Sequence, residues 1–341
     1  MDALARPLFM ARFLSGATAA VLCVVAIWVA LRVLKRWRIG SSHEGQLALE
    51  RRAELVATLV QAGLMLALMG LVLTVLAADR SADSIRGAMC AYGVFDSTGL
   101  AFWPLLTSVI ASLGCALWLV FHRLDLKLER PVLTRTKFTA LFALAPIVWL
   151  DLAVFLGFAG QLDFDVIASC CSVGLDGGVL GRWGADSSRA GSTIFIAAVA
   201  LSLAAAAALL WTRRRPGIAS SATAALLSIG AAATMVPAIL LYVAPHAYET
   251  PHHLCPFCLL HADVAGIGWP LFGTVFAGTA LGTATALVEA FRTRSGEPDA
   301  VSSLQGRLGR WGALAWAFAA VCALAPVVRF AIISGGASLF P

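Results

Sequence analysis

The chain has 341 residues, 60% of them hydrophobic and only 13% charged, a balance too apolar for a soluble domain of this size. It reads as an integral membrane protein. The net charge of +6 follows from loops that alternate in sign and needs no nucleic-acid partner. The alternating strands of a barrel are absent, and backbone in hydrocarbon must satisfy its own hydrogen bonds, so an all-α bundle is expected.

Eight stretches are long enough to cross about 30 Å of hydrocarbon as helices of about 20 residues: 13–34, 55–78, 102–121, 138–159, 192–211, 219–244, 259–291 and 311–333. Counting Arg32 at the end of the first stretch, the connections after the first, third, fifth and seventh carry six, five, three and four of the twenty-five Lys and Arg residues. Positive loops stay cytoplasmic, so both termini are expected on the extracytoplasmic side of a cell inner membrane. The first apolar run is full length and ends in Lys35, Arg36 and Arg38 rather than in a cleavage site.

Taken in order, the first segment carries Cys23 and nothing polar enough to suggest a pathway. The second has Gln61, Met65 and Met69 at helical spacing, a stripe that reads as core. The first outer loop, Asp79 to Ala101, holds Cys90 beside Met89. At the head of the third segment stands WPLLTSVIAS from Trp103, matched by WPLFGTVFAG from Trp269, and ALAPIVWL from Ala143 is matched by ALAPVVRF from Ala323. The two matches occur in the same order, as parallel repeats would leave them. Two four-helix halves are therefore expected, 1–160 and 161–341. The fourth segment contains Asp151, an intramembrane carboxylate and so a candidate for proton transfer or for a polar contact between helices.

The second outer loop, Gln161 to Gly191, is the longest and carries the adjacent pair Cys170-Cys171. Adjacent cysteines close only a strained ring, so exchange with a cysteine elsewhere is expected of one of them. The seventh stretch has the GxxxG spacing Gly278 to Gly282. It is longer than one membrane thickness: either Leu259 to Gly268 caps the bundle, or the last turns project into the cytoplasm.

Just before it lies HHLCPFCLLH, His252 to His261. With this topology Cys90, Cys170, Cys171, Cys255 and Cys258 all fall on the face where disulfides persist, Cys23, Cys115 and Cys322 lie inside helices, and no cysteine is cytoplasmic. Pro256 suits the first turn of a helix, whose dipole would favour a thiolate at Cys255. Cys255 would then face partner thiols and Cys258 the bundle. The same CxxC with His252, His253 and His261 around it also suits zinc or copper. Heme is disfavoured, because His122 and His261 lie at helix ends and CPFCL is not CxxCH.

Residues 138–341 resemble the five-helix arrangement of bacterial vitamin K epoxide reductase homologues. The likeness is carried by CPFC, by CCSVGLDGGVLGRWG in the second outer loop and by the STIF that follows it. The resemblance implies a quinone-linked thiol oxidoreductase. Cys255 and Cys258 would be the pair beside a ubiquinone or menaquinone. On this chain's own residues, Trp269, His261 and Asp151 are the candidates for the cofactor site, with Asp151 or His261 as proton donor. Cys170 or Cys171 would relay electrons from a separate thioredoxin-like or thiol-bearing protein. The chain departs from the family in its adjacent loop cysteines, its extra leading helices and the absence of a fused thioredoxin-like domain, and Cys90 would supply the missing thiol.

Two other functions are open on the sequence. One is binding or transport of a soft metal (copper, zinc or mercury) by Cys170, Cys171, Cys255, Cys258, His252 and His253. The other is a non-catalytic membrane subunit whose cysteines staple outer loops.

Overall fold

A computed structural model describes residues 2–37, 43–130, 132–168 and 187–340. Eight of its helices are long and apolar enough to cross a membrane, and the chain is an all-α multi-pass membrane protein. It divides into two compact units, Met1–Ala168 with Phe291–Ala300, and Ser169–Ala290 with Val301–Pro341.

The first unit contains α1 (Pro7–Arg36), α2 (Glu44–Ser81), the short α3 (Ala91–Asp96), α4 (Trp103–Asp125) and α5 (Thr134–Gln161). α1 packs on α2 and α5, and α4 packs on the same two helices from the other side. Small residues on α1 (Ala19, Cys23, Ala26, Ala30) let α2 and its Leu64 approach, while Cys115 and Trp118 of α4 meet Phe138 and Leu141 of α5. Close backbone approach suits helices in lipid, where apolar burial alone gives no drive to associate. The opposite face of α1 stays apolar and open, with Val21, Val24, Trp28 and Leu31 exposed. Met65 and Met69 also face outward, 45% and 54% exposed, so the methionine stripe meets lipid and is not core.

Between α2 and α4 the expected outer loop is largely packed. Phe95 of α3 lies 5.4 Å from Phe158 and 5.8 Å from Phe102, and Phe9 stacks on Phe155 and Phe158. This aromatic layer buries the C-terminal end of α3. One main-chain bridge joins Arg86 to Ile167, with the Ala168 amide donating to the Arg86 carbonyl. Gly87 beside it has φ +86, and a side chain there would run into the Ala168 carbonyl, so glycine is required twice over.

The second unit contains α6 (Ser187–Arg214), α7 (Ile218–Ala238), α8 (Gly268–Ala290) and α9 (Pro298–Ile333), of which residues 301–333 belong here. α7 continues through one π-turn, Ile239–Val243, into Ala244–Tyr248. Prolines 237 and 245 bracket that turn, and each removes a helical amide donor. α7 packs on α6 and on α8. Trp316 of α9 is wholly buried and donates its indole N–H to Ser228 Oγ at 3.1 Å. Gly278 lies against that indole: a β-carbon there would sit 2.7 Å from the ring. The GxxxG spacing is thus a seat for Trp316 and Ser228. Gly278→Ala is expected to destabilise the fold by about 1–3 kcal/mol through overpacking, whereas Gly273→Ala, with open space around it, should leave the detergent unfolding midpoint unchanged.

Candidate functional site: the CPFC turn and a buried charge centre

Cys255 and Cys258 are brought together by a built turn. Their sulfurs lie within 4.8 Å of each other, and both side chains are buried, Cys255 at 0% and Cys258 at 6% exposure. A disulfide would need those sulfurs to close to about 2 Å.

The turn is fixed at its C-terminal end. The Cys258 carbonyl accepts from the His261 amide at 3.0 Å and from the Tyr248 hydroxyl at 2.8 Å, which occupies both of its lone pairs. The Leu260 carbonyl accepts the Trp269 indole N–H at 3.1 Å. Tyr248 stacks on His253 at 4.0 Å. Behind them Tyr242, in the π-turn, stacks on Phe195 at 4.7 Å and lies 4.2 Å from His246. Gly268 opens α8 directly against Leu259, where a β-carbon would come within 2.9 Å of the main chain.

Several expectations are corrected here. CPFC is not the head of a transmembrane helix: Cys258–Leu260 and Ala262–Val264 are single 3-10 turns, Ala265 and Gly266 have positive φ, and α8 begins only at Gly268. A three-residue turn has no macrodipole to speak of, so the segment that Pro256 opens lends Cys255 no helix dipole. Leu259 to Gly268 forms the cap. Nor does Cys255 face outward, because its side chain is completely buried.

Of the other predicted residues, Trp269 is tied to the turn through its N–H, and His261 sits between the two 3-10 turns, partly exposed. His252 is exposed and His253 partly buried. Among the described residues, no group of atoms at metal-ligand spacing includes His252, His253 or His261. Cys90 flanks the N-terminus of α3 in extended conformation and is 1% exposed, so it belongs to packed structure and not to an open loop. Cys170 and Cys171 lie outside the described residues.

Asp151 belongs to a different centre, within the first unit. Its Oδ2 is 2.5 Å from Nη2 of Arg12, and its Oδ1 accepts from Ser108 at 2.7 Å and Thr107 at 3.4 Å. Arg12 Nε donates to Thr74 at 2.8 Å. Four helices therefore meet at one ion pair, both partners nearly inaccessible. The first helix does carry a strongly polar group after all. Hydropathy alone starts the apolar run at residue 13, whereas Pro7 fills the first helical position and draws Arg12 into the span. Pro7 was the available signal. Tyr248, by contrast, gave none, since its contact with Cys258 depends on the turn geometry.

No family model, curated protein or solved structure matches the chain.

Proposed function

We propose that the chain is a membrane thiol–disulfide oxidoreductase in which Cys255 and Cys258 are the redox pair and a membrane quinone, ubiquinone or menaquinone, accepts the electrons. The observation that carries this reading is the pair itself: two sulfurs within 4.8 Å, buried, in a turn pinned through the carbonyls of Cys258 and Leu260. Positive-inside bias supports an inner membrane with the cysteines on the extracytoplasmic face.

In the reaction, two S–H bonds of a substrate dithiol break and one S–S bond forms. The two electrons and two protons released reduce the quinone to quinol. Cys255 and Cys258 carry the electrons by cycling between disulfide and dithiol, through a mixed disulfide with the incoming thiolate. Cys90, Cys170 and Cys171 are the relay from a thioredoxin-like or other thiol-bearing partner, and His261 at the end of the turn is the proton donor. Asp151 is assigned a structural role, since both its oxygens already accept hydrogen bonds from Arg12, Ser108 and Thr107.

The test is turnover with defined reagents. Protein in lipid nanodiscs, given a dithiol and a quinone, is expected to form one quinol per disulfide and, after desalting, to hold less than stoichiometric metal. Stoichiometric zinc, copper or mercury without quinone reduction would establish the metal-binding reading instead.

A further inference from the structure

The first unit encloses a cavity of about 790 Å³ where the C-terminal ends of α1 and α4 meet the first half of α2 and the start of α5. Three of its lining side chains, Trp37, His122 and Asp125, are each more than nine-tenths buried. Each also keeps one buried polar atom with no protein partner: Trp37 Nε1, His122 Nδ1 and Asp125 Oδ1. Asp125 spends its other oxygen on Lys137 and Thr134. Polar atoms left so in the wall of a roomy cavity favour a small side-chain shift that turns them toward a ligand or ordered water, because an unmade buried hydrogen bond is expensive.

The orphaned atoms define what fits. Trp37 Nε1 can only donate, so the ligand must bring an acceptor. Asp125 Oδ1 can only accept, so the ligand must also bring a donor. The wall carries both signs of charge, Arg51 beside Glu50 and Glu54. A quinone head, with acceptors alone, would leave Asp125 unmatched. A purely anionic head would meet three carboxylates.

The cavity also has a depth. α2 has 38 residues, about 57 Å of helix, and its first eleven hold five charged side chains, which places that end at the headgroup level of a bilayer. The rim includes Leu55 and Leu126, 64% and 53% exposed, which offer an apolar path from the cavity to lipid.

We propose that this cavity binds an aminoalkyl phosphate, the headgroup of a phosphatidylethanolamine, with its phosphate toward Trp37 Nε1 and Arg51 and its ammonium toward Asp125 Oδ1 and Glu54. The acyl chains leave across Leu55 and Leu126. This site is independent of the thiol chemistry and stands or falls separately.

The experiment is lipid retention by the full-length protein, purified from vesicles of equal phosphatidylethanolamine, phosphatidylcholine and phosphatidylglycerol and read by native mass spectrometry. Preferential retention of phosphatidylethanolamine is expected, and Asp125→Asn, which removes the carboxylate that faces the ammonium, should reduce that preference about tenfold through loss of one hydrogen bond between charged groups. Glu54→Gln, an exposed position whose substitution leaves folding intact, should lower the ratio of phosphatidylethanolamine to phosphatidylcholine in the same direction. A misfolded variant would lose all three lipids alike, so the ratio is the readout. Free O-phosphoethanolamine separates the sources: displacement of the lipid at matched concentration identifies a soluble ester as the ligand, and failure to displace identifies the phospholipid. Retention of the three lipids in their bulk proportions, or a ratio indifferent to both substitutions, would overturn the proposal.

Discussion

Arg12→Ala is expected to destabilise the protein by about 3–5 kcal/mol, and Asp151→Ala by a similar amount, because each leaves the other charge buried among apolar helices. The guanidinium is held through Nε and Nη2, while its buried Nη1 has no hydrogen-bond partner among the described residues. Nε reaches Thr74 on α2, Nη2 reaches Asp151 on α5, and the Phe155 ring lies 4.9 Å from its central carbon. Gly16 and Gly70 make room for it, since a β-carbon on either would sit 2.6 Å and 3.1 Å from guanidinium atoms. Asp151 is anchored in turn by two hydroxyls of α4. The double variant Arg12→Met with Asp151→Leu removes both charges and keeps the volume, so its loss should be smaller than that of either single alanine substitution. Reversible unfolding in mixed micelles measures this, and the coupling between the two sites is the quantity of interest. Independent, additive losses would show that the pair does not act as a unit.

The second large effect concerns the turn. Cys258→Ser should lower dithiol-dependent quinone reduction by on the order of a hundredfold or more, since a serine can neither form the disulfide nor leave from one. Cys255→Ser should do the same. Cys322→Ala, at a buried position inside α9, is the control and should keep the parental rate. Tyr248→Phe removes the hydroxyl that binds the Cys258 carbonyl while keeping the ring stacked on His253. It is expected to slow turnover severalfold with the disulfide still able to form, as a positioning residue would. Equal turnover in Cys258→Ser and parent protein would assign the chemistry elsewhere.

Which features were legible in the sequence follows from their range. The eight spans are a property of contiguous hydropathy, and they were readable to within a few residues except where helices run past the apolar core, as α9 does from Pro298. CPFC and Asp151 stood out because a close cysteine pair and an intramembrane carboxylate are unusual locally. Their surroundings were hidden because they come from far away in the chain: Arg12 and Asp151 are 139 residues apart. The end of the CPFC segment misled for another reason. Pro256 is compatible with a helix start, but Ala265 and Gly266 adopt left-handed backbone and delay α8 to Gly268, a choice made by packing against Leu259. The methionine stripe failed likewise, because periodicity identifies a face without saying whether protein or lipid covers it.

The central claim is that Cys255 and Cys258 exchange electrons with a quinone, and single-turnover thiol counting tests it most directly. Fully reduced protein is mixed anaerobically with one equivalent of quinone, quenched with an alkylating agent and mapped by mass spectrometry. The expected result is one quinol per protein with Cys255 and Cys258 together losing their label. A full count of alkylated thiols at those two positions, with the quinone still oxidised, would contradict it.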